Sequence, residues 1–118
     1  MKYMVLIYEP AGAYQGPKNA TLLQDVAAKH MALAEELQAA GVLLDGSGLQ
    51  GVETATTVVI GADGRQTLHD GPFAETREHL GGYYLIDVPD LDAALAIARR
   101  VPGVAGSKTE VRPLLDMG

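Results

Sequence analysis

From Lys2 to Tyr8 the chain is almost continuously apolar, a pattern that predicts a strand buried on both faces. Pro10, Gly12, Gly16 and Pro17 make the next residues a loop, with Tyr14 as its large side chain. Leu23, Val26, Ala27, His30, Leu33, Ala34 and Leu37 then recur at helical spacing. Thr21-Leu22-Leu23-Gln24 has the form of a capping box at the start of that helix, and Gly41 is placed to end it. Val42-Leu43-Leu44 predicts a short strand, followed by a flexible stretch over 45–51. Thr56 to Ile60 is β-branched, and Gly61-Ala62-Asp63-Gly64 turns it into a hairpin with residues 65–68. Asp70-Gly71-Pro72 marks a second turn, and Leu80 to Val88 returns as a strand. Asp90 is suited to cap a second helix whose stripe is Leu91, Ala94, Leu95, Ala98 and Val101. Arg99 and Arg100 fall in its last turn, Pro102-Gly103 stops it, and residues 109–114 form a last strand.

The order is β-α-β, a hairpin, then β-α-β, which predicts an α+β domain of ferredoxin-like split βαβ type with an inserted β-hairpin. Right-handed crossovers place both helices on one face of an antiparallel or mixed sheet. The first strand and residues 83–88 nevertheless read as apolar on both sides. Leaving the second face in water would expose more apolar surface than monomers usually tolerate. A homodimer packed sheet against sheet, resembling a closed α+β barrel, is the expected cover.

Composition narrows the class without naming an activity. The chain has 118 residues, room for a single domain over 1–118. Nine Lys and Arg against fifteen Asp and Glu give a formal charge of -6, and no basic cluster exists to neutralise phosphates. Neither a nucleic acid nor a membrane surface is therefore an expected partner. The absence of Cys removes disulfides, thiol catalysis and Cys-ligated metals. The short N-terminal apolar run lacks the form of a signal peptide, and no run approaches the ~20 residues of a membrane span. The expectation is a cytoplasmic protein.

Among residues that carry chemistry, His30 is the most informative. It falls within the apolar stripe of the first helix, so its ring should face the sheet. There it is either a core-edge side chain bonded to a backbone carbonyl or a general acid/base at the rim of a pocket. Asp70 is the candidate carboxylate to orient it, although Asp-Gly-Pro is also ordinary turn chemistry. The segment from Ala74 to His79 is rich in charge and precedes Gly81-Gly82, a pair that lets a ligand or another backbone approach closely. Glu75, Arg77 and Glu78 are candidates to bind a small polar ligand, Arg77 being suited to a carboxylate, with Tyr83 beside them. His30, His69 and His79, with Asp70 or Glu75, show no metal-ligand spacing, and no phosphate loop, nucleophile elbow or dinucleotide fingerprint is present. No metal or cofactor is expected.

The run Asp70-Gly71-Pro72-Phe73-Ala74-Glu75-Thr76-Arg77-Glu78 resembles the signature of the DGPFAETKE family, with Arg77 where that name has Lys. His79 to Val88 resembles the family's following strand, and Glu35 to Leu44 its helix-to-strand passage, so the likeness covers nearly the whole chain. That family is grouped with the YCII-related proteins. The resemblance implies a dimeric ferredoxin-like domain and a small enzyme with a His–Asp pair in a pocket. The family's histidine precedes the Gly that ends the helix by the interval separating His30 from Gly41. Where many relatives carry Asp-Pro after the second helix, this sequence has Val101-Pro102, which leaves Asp70 as the acid. The expected chemistry is a lyase-, isomerase- or hydrolase-type proton transfer on a small molecule. Links between relatives and sigma factors imply the alternative, a non-catalytic ligand-binding or regulatory module.

Overall fold

The computed structural model describes residues 1–72 and 78–116, Lys18 by its backbone alone. Its elements are β1 (Lys2–Pro10), α1 (Ala20–Ala39), β2 (Leu43–Gly48), β3 (Thr56–Ile60), β4 (Gln66–Asp70), β5 (Glu78–Asp87), α2 (Leu91–Ala98) and β6 (Lys108–Pro113). Four strands form one sheet in the order β2-β5-β1-β6, all neighbours antiparallel, while β3 and β4 form a separate two-stranded sheet. This is the split βαβ arrangement with an inserted hairpin.

Alternation along the strands decides which side chains reach the helices. Tyr3, Val5 and Ile7 of β1 are buried with Tyr84 and Ile86 of β5, against Leu33 and Leu37 of α1 and Ala94 and Ile97 of α2. Both helices therefore lie on one face. The intervening Met4, Leu6, Tyr8, Tyr83 and Leu85 occupy the other face and are only half-buried. The first strand is thus fully buried on one side alone within a single chain. The molecule is 20 Å in its thinnest dimension, about one helix layer on one sheet.

Local signals were met unevenly. Gly41 has φ 76°, its N–H bonds to Gln38 O, and Val42 N–H bonds to Leu37 O, the paired contacts that end a helix in a left-handed residue. Asp90 caps α2 through Ala93 N–H at 2.9 Å. The capping box expected at Thr21 does not form. Pro17 starts a 3-10 turn, the Asn19 side chain bonds back to Gln15 O, and α1 begins at Ala20 with no side-chain cap. Thr21 consequently sits inside the helix. The stripe also shifts, since Leu23 and Leu91 are each 48% exposed, whereas Ile97, outside the predicted stripe, is buried.

β2 runs through Gly48, where the sequence predicts flexibility. Its glycines explain the extension. A Cβ on Gly46 would come within 2.9 Å of the Tyr84 ring, and one on Gly82 within 2.8 Å of Ser47 O. Small residues on both strands let β2 and β5 approach. The Gly81-Gly82 pair thus admits a neighbouring strand at Gly82, while at Gly81 the space is taken by the Glu9 carboxylate. In the hairpin, Val58 faces Leu68 across the strands, and Val58, Ile60 and Leu68 are exposed.

Candidate functional site

His30 is set on α1 one turn before Leu33 and two turns before Leu37, which anchor the helix to the sheet, so its ring lies at the edge of the core. Its Nδ1 is 2.7 Å from the hydroxyl of Tyr84, and the two rings stand 5.9 Å apart with a 40° tilt. Tyr84 is buried on the helix-facing side of β5, opposite Val5. The Tyr84 hydroxyl also lies 3.4 Å from the carbonyl oxygen of His30. Burial holds the His30 imidazole below its ordinary 6.5 and pushes the Tyr84 phenol up, so both are neutral near pH 7.

Two hydrogen-bond arrangements satisfy this pair. With the His30 proton on Nε2, the phenol donates to Nδ1. With the proton on Nδ1, the imidazole donates to the phenol oxygen and the phenol turns to the His30 carbonyl. The second arrangement leaves the Nε2 lone pair available as a base, and the first offers Nε2–H as a donor. A neutral His–Tyr pair can therefore supply or accept a proton without a net buried charge.

Asp70 ends β4 in the hairpin, exposed and opposite Thr56 in the strand register. The following Gly71 takes φ 92°, the turn geometry that Asp-Gly suggests, and Gly71 N–H bonds to Ala55 O. Tyr83, next to Tyr84, points to the opposite face of the sheet, where its hydroxyl donates to Asp45 Oδ2 at 2.9 Å. That bond and the Asp45 charge raise the Tyr83 phenol above its usual value. His30 and Tyr83 thus do not share one face of a protomer. Glu75 and Arg77 fall outside the described residues. Glu78 begins β5 and pairs with Lys108. A shallow open groove runs over Lys29, Ala32, Leu33, Glu36, Arg100 and Pro102, and His30 is not among the residues that line it. Among the described residues no group of three or more His, Asp or Glu side chains gathers as for a metal.

Sequence reasoning chose Tyr83 and missed Tyr84, although the period-two alternation from Gly82 to Ile86 was available to separate them. It also missed a second polar pair at the end of β1. The Tyr14 hydroxyl donates to Glu9 Oε1 at 3.3 Å. Burial raises the Glu9 carboxyl, which the Tyr14 bond partly offsets, and burial together with the Glu9 charge pushes Tyr14 up to about 12. Tyr14 as the large side chain of a Gly/Pro loop was the available signal.

The whole chain, residues 1–118, matches the YCII-related domain. An uncharacterised protein of Rhizobium meliloti (strain 1021) is 46% identical over 63 residues, which take in 52% of this chain and 51% of that protein. The match thus spans about half the length of that curated relative. No helix among the described residues is long and apolar enough to cross a membrane.

Proposed function

The chain belongs to the YCII-related domain family, and we propose that it is a small-molecule-binding enzyme in which His30 acts as general acid/base. The observation that carries this reading is the 2.7 Å contact between His30 Nδ1 and the Tyr84 hydroxyl. It holds a neutral imidazole in a defined orientation at the rim of the core and leaves Nε2 for chemistry. The reaction class is proton transfer in a lyase, isomerase or hydrolase, the substrate a small polar or aromatic compound. Tyr84 takes the orienting part that the sequence reading gives to Asp70. Glu75 and Arg77, from the DGPF-type signature, are assigned to the polar end of the substrate. In the same reading the protein is a cytoplasmic homodimer, barrel-like, with a second copy on the open sheet face. Apolar Met4, Leu6, Tyr8 and Leu85 on that face support it.

One observation favours the rival reading, a ligand-binding or regulatory module. The His30 ring bonds to a phenol that also reaches the His30 carbonyl, so the pair has a structural use of its own. The two separate in a thermal-shift screen of small polar and aromatic metabolites against wild type and His30→Gln. A ligand of the folded state raises its melting temperature. The enzyme reading requires that a stabilising compound be converted by wild type, and bound but not converted by His30→Gln. A compound that binds and returns unchanged from prolonged incubation with wild type favours the module.

A further inference from the structure

Near the end of β1 a carboxylate is half withdrawn from water with no cation bonded to it. Tyr3, Val5 and Ile7 face the helices, so alternation puts Glu9 on that same side, about 13 Å along the strand from Val5. The register of β1 and β5 slips between Ile7 and Tyr8, where β5 carries Gly81 as an extra residue. Such a bulge re-aims the residues beyond it. His79, which by simple alternation would share the face of Tyr83, is thereby set opposite Glu9. The Glu9 carboxylate lies over Gly81, its carbon and two oxygens 2.7, 2.8 and 2.9 Å from the place a Cβ would take, so a residue without a side chain makes room for it. Tyr14 donates to Oε1, and among the described residues Oε2 receives no hydrogen bond and Glu9 forms no ion pair. Lys108, opposite Tyr8 in the register, faces the other side of the sheet and is held there by Glu78.

We propose that Glu9, with Tyr14 beside it and Gly81 beneath it, binds the ammonium group of a small ligand. A carboxylate partly out of water is costly unless opposite charge or hydrogen bonds compensate it. A single phenol supplies one neutral bond, and burial still holds the Glu9 carboxyl above its ordinary value. An ammonium brings both what is missing, a positive charge and donors for Oε2. The Tyr14 oxygen, having donated its proton to Glu9, keeps lone pairs that accept from the same ammonium. A neutral hydroxyl offers this pair of acceptors one donor and no charge, and a carboxylate ligand is repelled. A contact that only tied the loop to the strand would be served equally by an amide at position 9, and that difference is what separates the two accounts. The site stands apart from the His30–Tyr84 pair along the sheet, so either reading can fail without the other.

The test is NMR titration of the protein with benzylammonium chloride, and with benzyl alcohol and benzoate as probes of the same shape, at low ionic strength. Benzylammonium should move the amide signals of Glu9, Tyr14 and Gly81, and the other two probes should leave them in place. Because an ammonium favours the ionised carboxyl, the probe should also lower the Glu9 pKa read from its carboxyl carbon, a shift that a purely structural Glu9 would not show. Glu9→Gln keeps the shape and an acceptor for Tyr14, yet should weaken binding about tenfold or more. Tyr14→Phe should weaken it about threefold. Gly81→Ala, which displaces the carboxylate, should weaken it as well, with circular dichroism checking that each variant folds. Equal shifts with benzyl alcohol or benzoate, undiminished binding by Glu9→Gln, or no response of these amides and of the Glu9 pKa in wild type would each overturn the proposal. The wild-type measurements decide it even where a variant does not fold.

Discussion

The Tyr84 hydroxyl and the His30 imidazole are joined at 2.7 Å although 54 positions separate them in the chain. The contact ties the middle of β5 to the middle of α1. Burial at this place disfavours imidazolium and phenolate alike, so both partners are neutral near pH 7. The pair is a polar hinge between the core, which is apolar around Val5 and Ile86, and the outer surface of the helix.

Replacing Tyr84 with Phe keeps the ring and removes the hydroxyl. The half-buried His30 Nδ1 then loses its partner, and we expect the variant to unfold about 1 kcal/mol more easily in urea. The slope of the transition should not change, because the buried surface stays the same. In the proposed reading the variant binds ligand but turns it over more slowly.

The His30 pKa gives stability a definite pH dependence. Its folded value lies below the unfolded 6.5, so below that pH the unfolded chain binds the proton more readily. The His30 contribution is complete above pH 6.5 and is lost as pH falls through the lower folded value. Urea midpoints measured across this window should decline toward acid in wild type. The decline should be shallower in His30→Gln, and NMR titration of the ring should give a value under 6.5.

The two glycines of β5 differ in what surrounds them. A Cβ on Gly82 meets the backbone oxygen of Ser47 at 2.8 Å, whereas one on Gly81 meets the end of the Glu9 side chain. Backbone cannot swing aside as a carboxylate can. Gly82→Ala should therefore destabilise by about 1–3 kcal/mol, and Gly81→Ala by clearly less, as read from thermal or urea unfolding. The amide exchange of β2 should quicken only in the Gly82 variant.

Tyr14 should ionise only at strongly alkaline pH. Burial, the Glu9 charge and the hydrogen bond to Glu9 together push it up to about 12. In a phenolate absorbance titration, with Tyr14→Phe identifying its step, Glu9→Gln should lower that step by removing the charge while leaving an amide oxygen to accept.

Several features were legible in the chain because their causes are local. Gly41 ends α1 since only a residue tolerant of positive φ fits there, and Asp90 starts α2 since its carboxylate reaches an N–H three residues on. The hairpin of β3 and β4 follows from β-branched residues around a Gly turn, and the apolar content of β1 and β5 announced the sheet. Belonging to the YCII-related family was likewise readable in the chain, and the match extends over residues 1–118.

Other outcomes depended on groups distant along the chain. Thr21 had the residues of a capping box, but Pro17 and Asn19 began the turn earlier and carried it into the helix. Asp45 to Gly48 looks flexible by composition and is a strand, because Gly46 and Gly82 let two backbones close on each other. Which of Tyr83 and Tyr84 meets His30 turned on strand phase relative to the helices, and a shift of one residue reverses the face. Turns and caps are decided by neighbours within a few bonds. A hydrogen-bond partner for an inward-facing ring is decided by which element packs above it, and that is settled only when the layers come together.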